Sequence, residues 1–248
     1  MAGKTVIAFD LYGTLLSTES IAKELEERIG DADKAKSVAA LWRRYQLEYT
    51  WRINSMAKGI YRTFSEITKG ALQHAVAELG LAQSVSSEDS EQLMKAYDSL
   101  RVFPEVPKAL DEVKSHPAIE PYIFSNGTDA MVGASLNLSP ELASHKGLFK
   151  SLITVEDVQA FKPDMGVYGD LLNKVGKAGS AGDVWLVTAN PFDIVGARAA
   201  GLQAAWVDRA GTGWVDRLGN VIGGLQPTVV VQGVDEAVAE IIRSSSSG

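Results

Sequence analysis

Short apolar runs recur along the chain, and several are separated by segments in which apolar residues recur at helical spacing. Each run is continuous rather than alternating, which is typical of a strand covered on both faces in a parallel sheet. The runs lie at 6–9, 121–124, 152–154, 184–187, 203–207 and 229–231. The helical segments among them lie at 106–114, 165–175, 193–200 and 234–243. This alternation predicts right-handed βαβ units and an α/β fold with an open, mainly parallel sheet.

Residues 17–100 break this alternation, because only helical patterns follow one another there. Apolar residues recur every four positions from Leu41 to Ile53, with charged residues between them. Gly30 and Gly80 stand where helices would end. The four predicted helices lie at 19–29, 34–56, 66–79 and 88–100.

The position of this helical block predicts the domain organisation. The pattern favours an open α/β core built from 1–16 and 101–243, with an all-helical subdomain, 17–100, inserted after the first strand. The serine-rich end, 244–248, is typical of a flexible tail.

Composition narrows the range of partners. The net charge of −7 argues against nucleic-acid binding, which usually needs a basic face, so an anionic substrate would depend on local positive residues. The chain has no cysteine, which excludes disulfides and thiolate chemistry and fits a reducing compartment. The first apolar stretch is too short to span a membrane and lacks the features of a signal peptide. We therefore expect a cytoplasmic protein without membrane contact.

Polar residues gather at the ends of several predicted strands. Asp10 follows the first strand, Ser125 and Asn126 follow the second, and residues 188–193 follow the fourth. Lys162 precedes a helix and is expected on the same rim. Because open α/β sheets bind ligands at the carboxyl ends of their strands, this convergence predicts the functional site.

The order of the motifs carries a family resemblance. The chain has Asp10-Leu11-Tyr12-Gly13-Thr14, then Ser-Asn-Gly at 125–127, Lys-Pro at 162–163, and Asp193 after a later strand. In this order the motifs resemble those of the haloacid dehalogenase superfamily, over nearly the whole chain. The resemblance implies a Rossmann-like core with an inserted helical cap, as the alternation of elements indicates independently.

Two positions separate this chain from the superfamily's magnesium-dependent phosphatases. The phosphatase pattern has a second Asp two residues after the nucleophile, where this chain has Tyr12. Its last motif carries an acidic metal ligand, where this chain has Ala189. Because Mg²⁺ needs oxygen ligands and a methyl group supplies none, we expect neither a metal nor an organic cofactor.

The remaining features resemble the (S)-2-haloacid dehalogenases. The cap-helix pattern of that family is matched by the stretch LWRRYQLEYTW at 41–51, and Lys162 and Tyr168 reproduce the family's spacing. The resemblance implies hydrolysis of short (S)-2-haloalkanoic acids to (R)-2-hydroxy acids through an aspartyl ester. It also implies a homodimer, since members of this family commonly pair.

The resemblance assigns the reacting groups. Asp10 would displace the halide as a covalent nucleophile, and water would then attack the ester carbonyl of Asp10 itself. Asp193 would orient or activate that water. Lys162 would keep Asp10 ionised beside another carboxylate and an anionic substrate.

Substrate contacts follow from the same resemblance. Arg43 and Asn126 would receive the departing halide. Ser125 and the backbone amides near Leu11 and Tyr12 would hold the substrate carboxylate.

Four further residues complete the expected site. Asn190 would belong to the last catalytic loop, and Thr188 would supply a hydroxyl near the nucleophile where the family commonly has Ser. Tyr168 would belong to the substrate-binding residues. Phe192 would form an aromatic wall where several relatives have the larger Trp.

Two other hypotheses stay open on the sequence alone. One is a magnesium-dependent phosphatase with a remodelled metal site and a substitute for the missing acid. The other is a hydrolase or non-catalytic binder of a different small α-substituted acid. His74, His116 and His145 lack metal-ligand spacing and receive no role.

Overall fold

The computed structural model describes residues 4–56 and 60–246, and the core is a six-stranded sheet with parallel neighbours throughout. The spatial order β3-β2-β1-β4-β5-β6 is that of a doubly wound α/β fold. The predicted fold class, α/β with an open parallel sheet, is confirmed. The strands are β1 (Thr5–Phe9), β2 (Ile119–Ser125), β3 (Leu152–Thr154), β4 (Val184–Thr188), β5 (Gln203–Val207) and β6 (Val229–Val231).

Strand β1 lies at the centre of the sheet, between β2 and β4. Ile7, Ala8 and Phe9 are completely buried, which explains the continuous apolar run, because both faces of the strand are covered by helices. The chain winds outward from β1 in one direction to β3 and in the other to β6. The strand order therefore reverses between β1 and β4, and Asp10 follows β1 at this switch point, where such sheets bind ligands.

The helices fill the connections that the sequence predicts, with one major exception. Helix α6 was not predicted, because its sequence is apolar or small on most sides and shows little polar–apolar contrast. Its start is nevertheless encoded by Thr128, whose side chain accepts a hydrogen bond from Met131 N at 3.1 Å. The helices are α1 (Ala22–Ile29), α2 (Ala32–Ser55), α3 (Phe64–Glu78), α4 (Ser87–Tyr97), α5 (Val106–Ser115), α6 (Asp129–Leu138), α7 (Met165–Lys174), α8 (Pro191–Ala199), α9 (Leu218–Val221) and α10 (Val234–Ser246), with short 3-10 helices at Thr18–Ile21, Ala143–Leu148 and Ala181–Asp183.

Helices α1 to α4, which we call the helical insertion, follow one another between β1 and α5. The predicted helix ends at Gly30 and Gly80 are confirmed, since both residues adopt left-handed φ angles of 73° and 70°. The first helix was predicted from residue 19, but Thr18–Ile21 forms a 3-10 turn and α1 begins at Ala22.

Two antiparallel segments connect the insertion to the sheet. Ser17 N donates to Arg101 O at 2.8 Å, and Phe103 N donates to Leu15 O at 3.1 Å. The two connecting segments thus lie side by side. The predicted boundaries of the subdomain, between residues 16 and 17 and between residues 100 and 101, stay a prediction. Residues 1–3 of the predicted core and 57–59 of the predicted subdomain lie outside the described residues.

A buried polar cluster joins three helices of the insertion. Gln46 on α2 donates to Thr68 Oγ1 on α3 at 3.0 Å and accepts from Tyr97 Oη on α4 at 3.0 Å. Trp42 Nε1 donates to Thr68 O at 2.7 Å. The Tyr97 ring also lies 5.5 Å from the Tyr12 ring, so the cluster packs directly on the loop that follows Asp10.

The last helix extends further than the sequence predicts. It continues to Ser246, so part of the predicted flexible tail, 244–248, is helical, and 247–248 lie outside the described residues. The Ser245 hydroxyl donates to Ile241 O at 2.8 Å, which keeps the polar serine within the helix. Within the described part of the chain, no helix combines the length and apolar character needed to cross a membrane.

Candidate active site

Asp10 is a buried carboxylate whose two oxygens have different surroundings. Oδ2 accepts three hydrogen bonds: from Thr14 Oγ1 at 2.7 Å, from Thr188 Oγ1 at 3.1 Å and from Asn190 Nδ2 at 2.7 Å. Oδ1 accepts from Lys162 Nζ at 3.1 Å. Oδ2 is therefore held on three sides, whereas Oδ1 retains a lone pair for another partner.

Lys162 is 1% exposed and uses all three of its N–H groups. Besides Asp10, its ammonium donates to Phe124 O at 2.8 Å and to Asp193 Oδ2 at 2.8 Å. It also lies 4.2 Å from the centroid of the Phe124 ring. This one cation thus joins both predicted carboxylates to the end of β2.

Asp193 lies behind Asp10 in the first turn of α8 and is completely buried. Its Oδ1 accepts from Tyr168 Oη at 2.6 Å, so Lys162 and Tyr168 hold opposite oxygens of the same carboxylate. Tyr168 belongs to α7 and is also buried. Tyr168 therefore contacts Asp193 and does not line the pocket, and its predicted contact with the substrate stays a prediction.

The shared lysine and burial push the two carboxyl pKa values in opposite directions. Burial opposes ionisation of Asp10, but Lys162, the Thr14 hydroxyl and Arg43 outweigh it and lower the pKa of Asp10. Burial dominates at Asp193 and, with the charge of Asp10, raises the pKa of Asp193 despite Lys162. The pKa of Lys162 is raised, because its two carboxylate partners outweigh its own burial. Asp10 is thus kept ionised, while Asp193 is the more readily protonated carboxyl group.

Thr14 is a site residue for which the sequence predicted no role. Its hydroxyl donates to Asp10 Oδ2 and accepts from Ala189 N at 2.9 Å, so it joins the loops that follow β1 and β4. The signal was present as the last residue of the Asp-x-x-Gly-Thr motif. Thr188 behaves similarly, accepting from Asn190 N at 3.0 Å.

Arg43 reaches the site from α2 in the helical insertion. Its Nη2 donates to Tyr12 O at 2.8 Å and to Asn190 Oδ1 at 3.3 Å. Leu47 lies one helical turn later and faces the same pocket. The insertion therefore supplies a positive charge to the pocket.

Several donors around the pocket have no acceptor within the described part of the chain. They include the backbone N–H groups of Leu11, Tyr12 and Asn126. The Asn126 side chain accepts from Lys162 N at 2.9 Å through Oδ1, which leaves its NH₂ group free to donate. Ser125 Oγ accepts from Gly127 N at 3.0 Å and likewise retains its own proton. Free N–H and O–H groups of this kind suit an anionic ligand.

These side chains line a narrow pocket at the carboxyl edge of the sheet, with a cavity volume of about 10 Å³. Phe64 and Leu47 add apolar surface to it. Phe192 forms the expected aromatic wall and meets Trp51 edge to face at 5.3 Å. The lining residues are Asp10, Tyr12, Arg43, Leu47, Phe64, Ser125, Asn126, Lys162, Asn190 and Phe192.

The structure brings the sequence-predicted residues to one place in two layers. Most of them line the pocket, and three, Thr188, Tyr168 and Asp193, lie behind Asp10. Leu11 is completely buried, so that only its backbone is available to a ligand.

The donor set does not suit a divalent metal ion. Ala189 offers no side-chain oxygen to such an ion. Tyr12 turns its hydroxyl away from Asp10 toward Ser135 Oγ, at 3.2 Å, and stacks on Phe64. Within the described residues, no three His, Asp or Glu side chains are grouped to hold a metal ion. The arrangement is suited to nucleophilic attack by Asp10 on a small anionic molecule.

Comparison with known proteins agrees with this geometry. The family model of haloacid dehalogenase-like hydrolases matches residues 4–201. The chain is 35% identical to an (S)-2-haloacid dehalogenase of Pseudomonas sp. (strain YL), with 83% of each chain covered. It is 33% identical to an (S)-2-haloacid dehalogenase of Pseudomonas fluorescens, covering 95% of this chain and 96% of the relative.

A solved structure provides the same comparison in three dimensions. It is the L-2-haloacid dehalogenase of Xanthobacter autotrophicus with chloropropionic acid covalently bound. The TM-score is 0.80 at 25% identity, covering 97% of this chain and 98% of that one.

The contact between Tyr168 and Gly196 yields a test of the buried layer. A Cβ at position 196 would overlap the Tyr168 hydroxyl and lie 2.6 Å from its Cζ. Gly196→Ala should therefore displace Tyr168 from Asp193 and lower the free energy of unfolding by about 1–3 kcal/mol, measured by urea denaturation.

Gly169→Ala is the matched control, because Gly169 also lies within a helix but has no atom within 4 Å of an added Cβ. That variant should gain up to about 1 kcal/mol from its higher helix propensity. Equal unfolding free energies for the two variants would contradict the assigned packing of Tyr168.

Proposed function

The chain belongs to the haloacid dehalogenase-like hydrolase family, and from that premise we propose that it hydrolyses short (S)-2-haloalkanoic acids to (R)-2-hydroxy acids. The observation that carries the proposal is the asymmetry of Asp10. One oxygen is held by three donors, and the other is left available in a pocket that contains Arg43 and unpaired amide donors. The names of the similar proteins supply the substrate class.

In the first step Asp10 Oδ1 attacks the halogen-bearing carbon from the side opposite the halogen. A bond forms between Oδ1 and that carbon while the carbon–halogen bond breaks, and the halide leaves with the bonding electrons. Back-side attack inverts the carbon and leaves it esterified to Asp10. The lowered pKa of Asp10 keeps it ionised and ready for this step.

In the second step water attacks Cγ of Asp10 and leaves the substrate carbon untouched. Oδ2, as the ester carbonyl oxygen, takes up negative charge in this step. The donors on Thr14, Thr188 and Asn190 already point at it, so they are placed to stabilise that charge. The water oxygen becomes the new carboxylate oxygen on Cγ, and the bond between Cγ and Oδ1 breaks. Oδ1 leaves on the substrate carbon, takes up the proton that the water lost and becomes the hydroxyl oxygen of the released hydroxy acid.

Asp193 accepts the proton of the attacking water in this proposal. It can do so only when it is ionised, and its pKa is raised. Ester hydrolysis should therefore gain rate as the pH rises through the pKa of Asp193, which the charge of Asp10 no longer raises once Asp10 is esterified. Lys162 compensates the second negative charge, since it contacts both carboxylates.

The two ends of the substrate would meet different donors. The substrate carboxylate is assigned to Ser125 and to the free backbone N–H groups of Leu11 and Tyr12. The halide is assigned to Arg43 and to the NH₂ group of Asn126, which no acceptor in the described part of the chain engages. Donors fixed in advance stabilise the developing halide charge without reorganisation.

The pocket walls favour short substrates. Leu47, Phe64 and Phe192 are apolar, and the cavity between them is narrow, about 10 Å³, so a long alkyl chain would meet these walls. A phosphatase reaction is not favoured, because Tyr12 replaces the acid for the leaving group and Ala189 replaces a metal ligand.

A cytoplasmic homodimer completes the proposal. The lack of cysteine fits a reducing compartment. We propose pairing because members of the resembled family commonly form dimers. The exposed side chains of Trp51 and Met56, near the end of α2, give the helical insertion apolar surface for contact with a second copy.

Halide release from each enantiomer of 2-chloropropionate tests the proposed function directly. Chloride should appear from the (S) enantiomer alone and at the same rate in EDTA. Asp10→Asn should abolish release, because the nucleophile is lost, in a protein that still unfolds cooperatively in urea. A panel of phosphate esters with magnesium is run in parallel.

Magnesium-dependent phosphate release without chloride would replace the proposal with the phosphatase hypothesis. Inactivity on both substrate classes would favour a hydrolase or binder of another small acid.

Arg43→Ala tests the assignment of the halide site. The variant should lose roughly 100-fold in kcat/KM for 2-chloropropionate, because a preorganised charged donor is removed from the leaving group. The loss should be smaller for 2-bromopropionate, since bromide is the better leaving group. Halide release and urea unfolding are measured for Arg43→Ala and for the control variant Arg44→Ala.

Arg44→Ala is the matched control, because Arg44 is the next residue of α2 and contacts Tyr45, outside the pocket. It should retain wild-type kcat/KM. A loss of folding stability in Arg43→Ala that accounts for its loss of activity would instead make Arg43 a structural residue.

A further inference from the structure

Arg209 lies just beyond the end of β5, outside the pocket, and its guanidinium contacts the loop that follows Asp10. Nη2 donates to Thr14 O at 2.7 Å, and Nη1 donates to Gly13 O at 3.5 Å. Neither the motifs nor the proposed mechanism assigns this residue a role. Its partners are nevertheless the backbone carbonyls of the segment that carries the Thr14 hydroxyl to Asp10.

The guanidinium is itself fixed from two further sides. Glu105, the residue before α5, accepts from Arg209 Nε at 3.0 Å and from Nη2 at 2.6 Å. The guanidinium carbon lies 3.5 Å from the centroid of the Phe103 ring. The Arg209 and Glu105 side chains are each about one-fifth exposed, so solvent screens the ion pair only in part.

We propose that Arg209 is a positioning residue for the reaction, which acts by holding the Gly13–Thr14 carbonyls so that the Thr14 hydroxyl stays on Asp10 Oδ2. The inference rests on the proposed function for its catalytic consequence. It assigns Arg209 no contact with substrate, since Arg209 does not line the pocket.

The local backbone explains why such a restraint is needed. Gly13 has a φ of 86°, a conformation that glycine adopts without strain and that gives the loop little rigidity of its own. Thr14 Oγ1 must meet two partners at once, Asp10 Oδ2 at 2.7 Å and Ala189 N at 2.9 Å. A small shift of the Thr14 backbone would therefore lengthen both bonds.

The chemistry of Arg explains why this residue type is suited to the task. Its planar fork reaches two carbonyls and a carboxylate in one rigid arrangement, whereas a Lys ammonium is a compact charge on a flexible stem. Because the Thr14 hydroxyl stabilises charge on Oδ2 during the reaction, its misplacement should lower kcat and leave the KM for substrate nearly unchanged.

A double-mutant cycle on (S)-2-chloropropionate tests the inference. Arg209→Met should lower kcat roughly 10- to 100-fold with little change in KM. Thr14→Val removes the hydroxyl through which Arg209 is proposed to act. In the Thr14→Val background, Arg209→Met should then have little further effect on kcat. Additive effects on kcat, or an effect confined to KM, would overturn the inference.

Two other variants separate positioning from general stability. Arg198→Met is the matched control, because Arg198 also donates to a backbone carbonyl, that of Leu202 at 2.6 Å, but on α8 away from Asp10. It should leave kcat unchanged. Arg209→Lys should recover folding stability more fully than kcat, since Lys keeps the charge but lacks the fork. Full recovery of kcat by Lys would overturn the need for the fork.

A titration independent of activity distinguishes failure of this inference from failure of the proposed function. The Asp10 carboxyl is followed by carbon-13 NMR of labelled aspartate, assigned with Asp10→Asn. Arg209→Met should raise the Asp10 pKa, since the Thr14 bond helps to lower it, and should not do so in Thr14→Val. The other charged groups facing Asp10, which are Lys162, Arg43 and Asp193, are kept unchanged.

If the wild type releases no halide but this coupled shift is seen, the proposed function fails and the positioning role stands. If Arg209→Met leaves the Asp10 pKa unchanged, the positioning role is wrong, whatever the enzyme hydrolyses.

Discussion

The buried Lys162 ammonium is the contact on which the rest of the site depends. Asp10 and Asp193 would repel one another in a buried pocket, and this one cation contacts both while its third N–H is bonded to Phe124 O. Because the cluster contains two carboxylates and one ammonium, the two carboxyl groups differ in how readily they bind a proton. The pKa of Asp10 is lowered, which keeps Asp10 ionised, and the pKa of Asp193 is raised. One buried contact thus favours two different roles for chemically identical groups.

The fold determines where this cluster can form. Parallel strands place Asp10 and residues 188–193 at one edge of the sheet, on either side of the point where the strand order reverses. Arg43 on α2 supplies a cation to the pocket from the helical insertion. Since Arg43 contacts Tyr12 O and Asn190, the pocket is complete only with the insertion in place.

Much of this could be predicted from the sequence, because the relevant signals are local. Continuous apolar runs marked all six strands, and polar residues at their ends marked Asp10, Ser125 and Thr188. Helix α6 was missed because its sequence lacks polar–apolar contrast. The role of Arg209 was beyond reach, since its partners Thr14 and Glu105 lie far away in the sequence and meet it only after folding. The asymmetry of the Asp10 oxygens depends on such long-range contacts too.

Covalent catalysis requires that an Asp10 oxygen, and no water molecule, attacks the substrate carbon. A single turnover in ¹⁸O-labelled water, with enzyme in excess over (S)-2-chloropropionate, distinguishes the two. We expect the label in the Asp10 carboxylate, found by mass spectrometry of the peptide containing Asp10, and none in the 2-hydroxy acid. Label in the hydroxy acid of the first turnover, with unlabelled Asp10, would exclude Asp10 as the nucleophile.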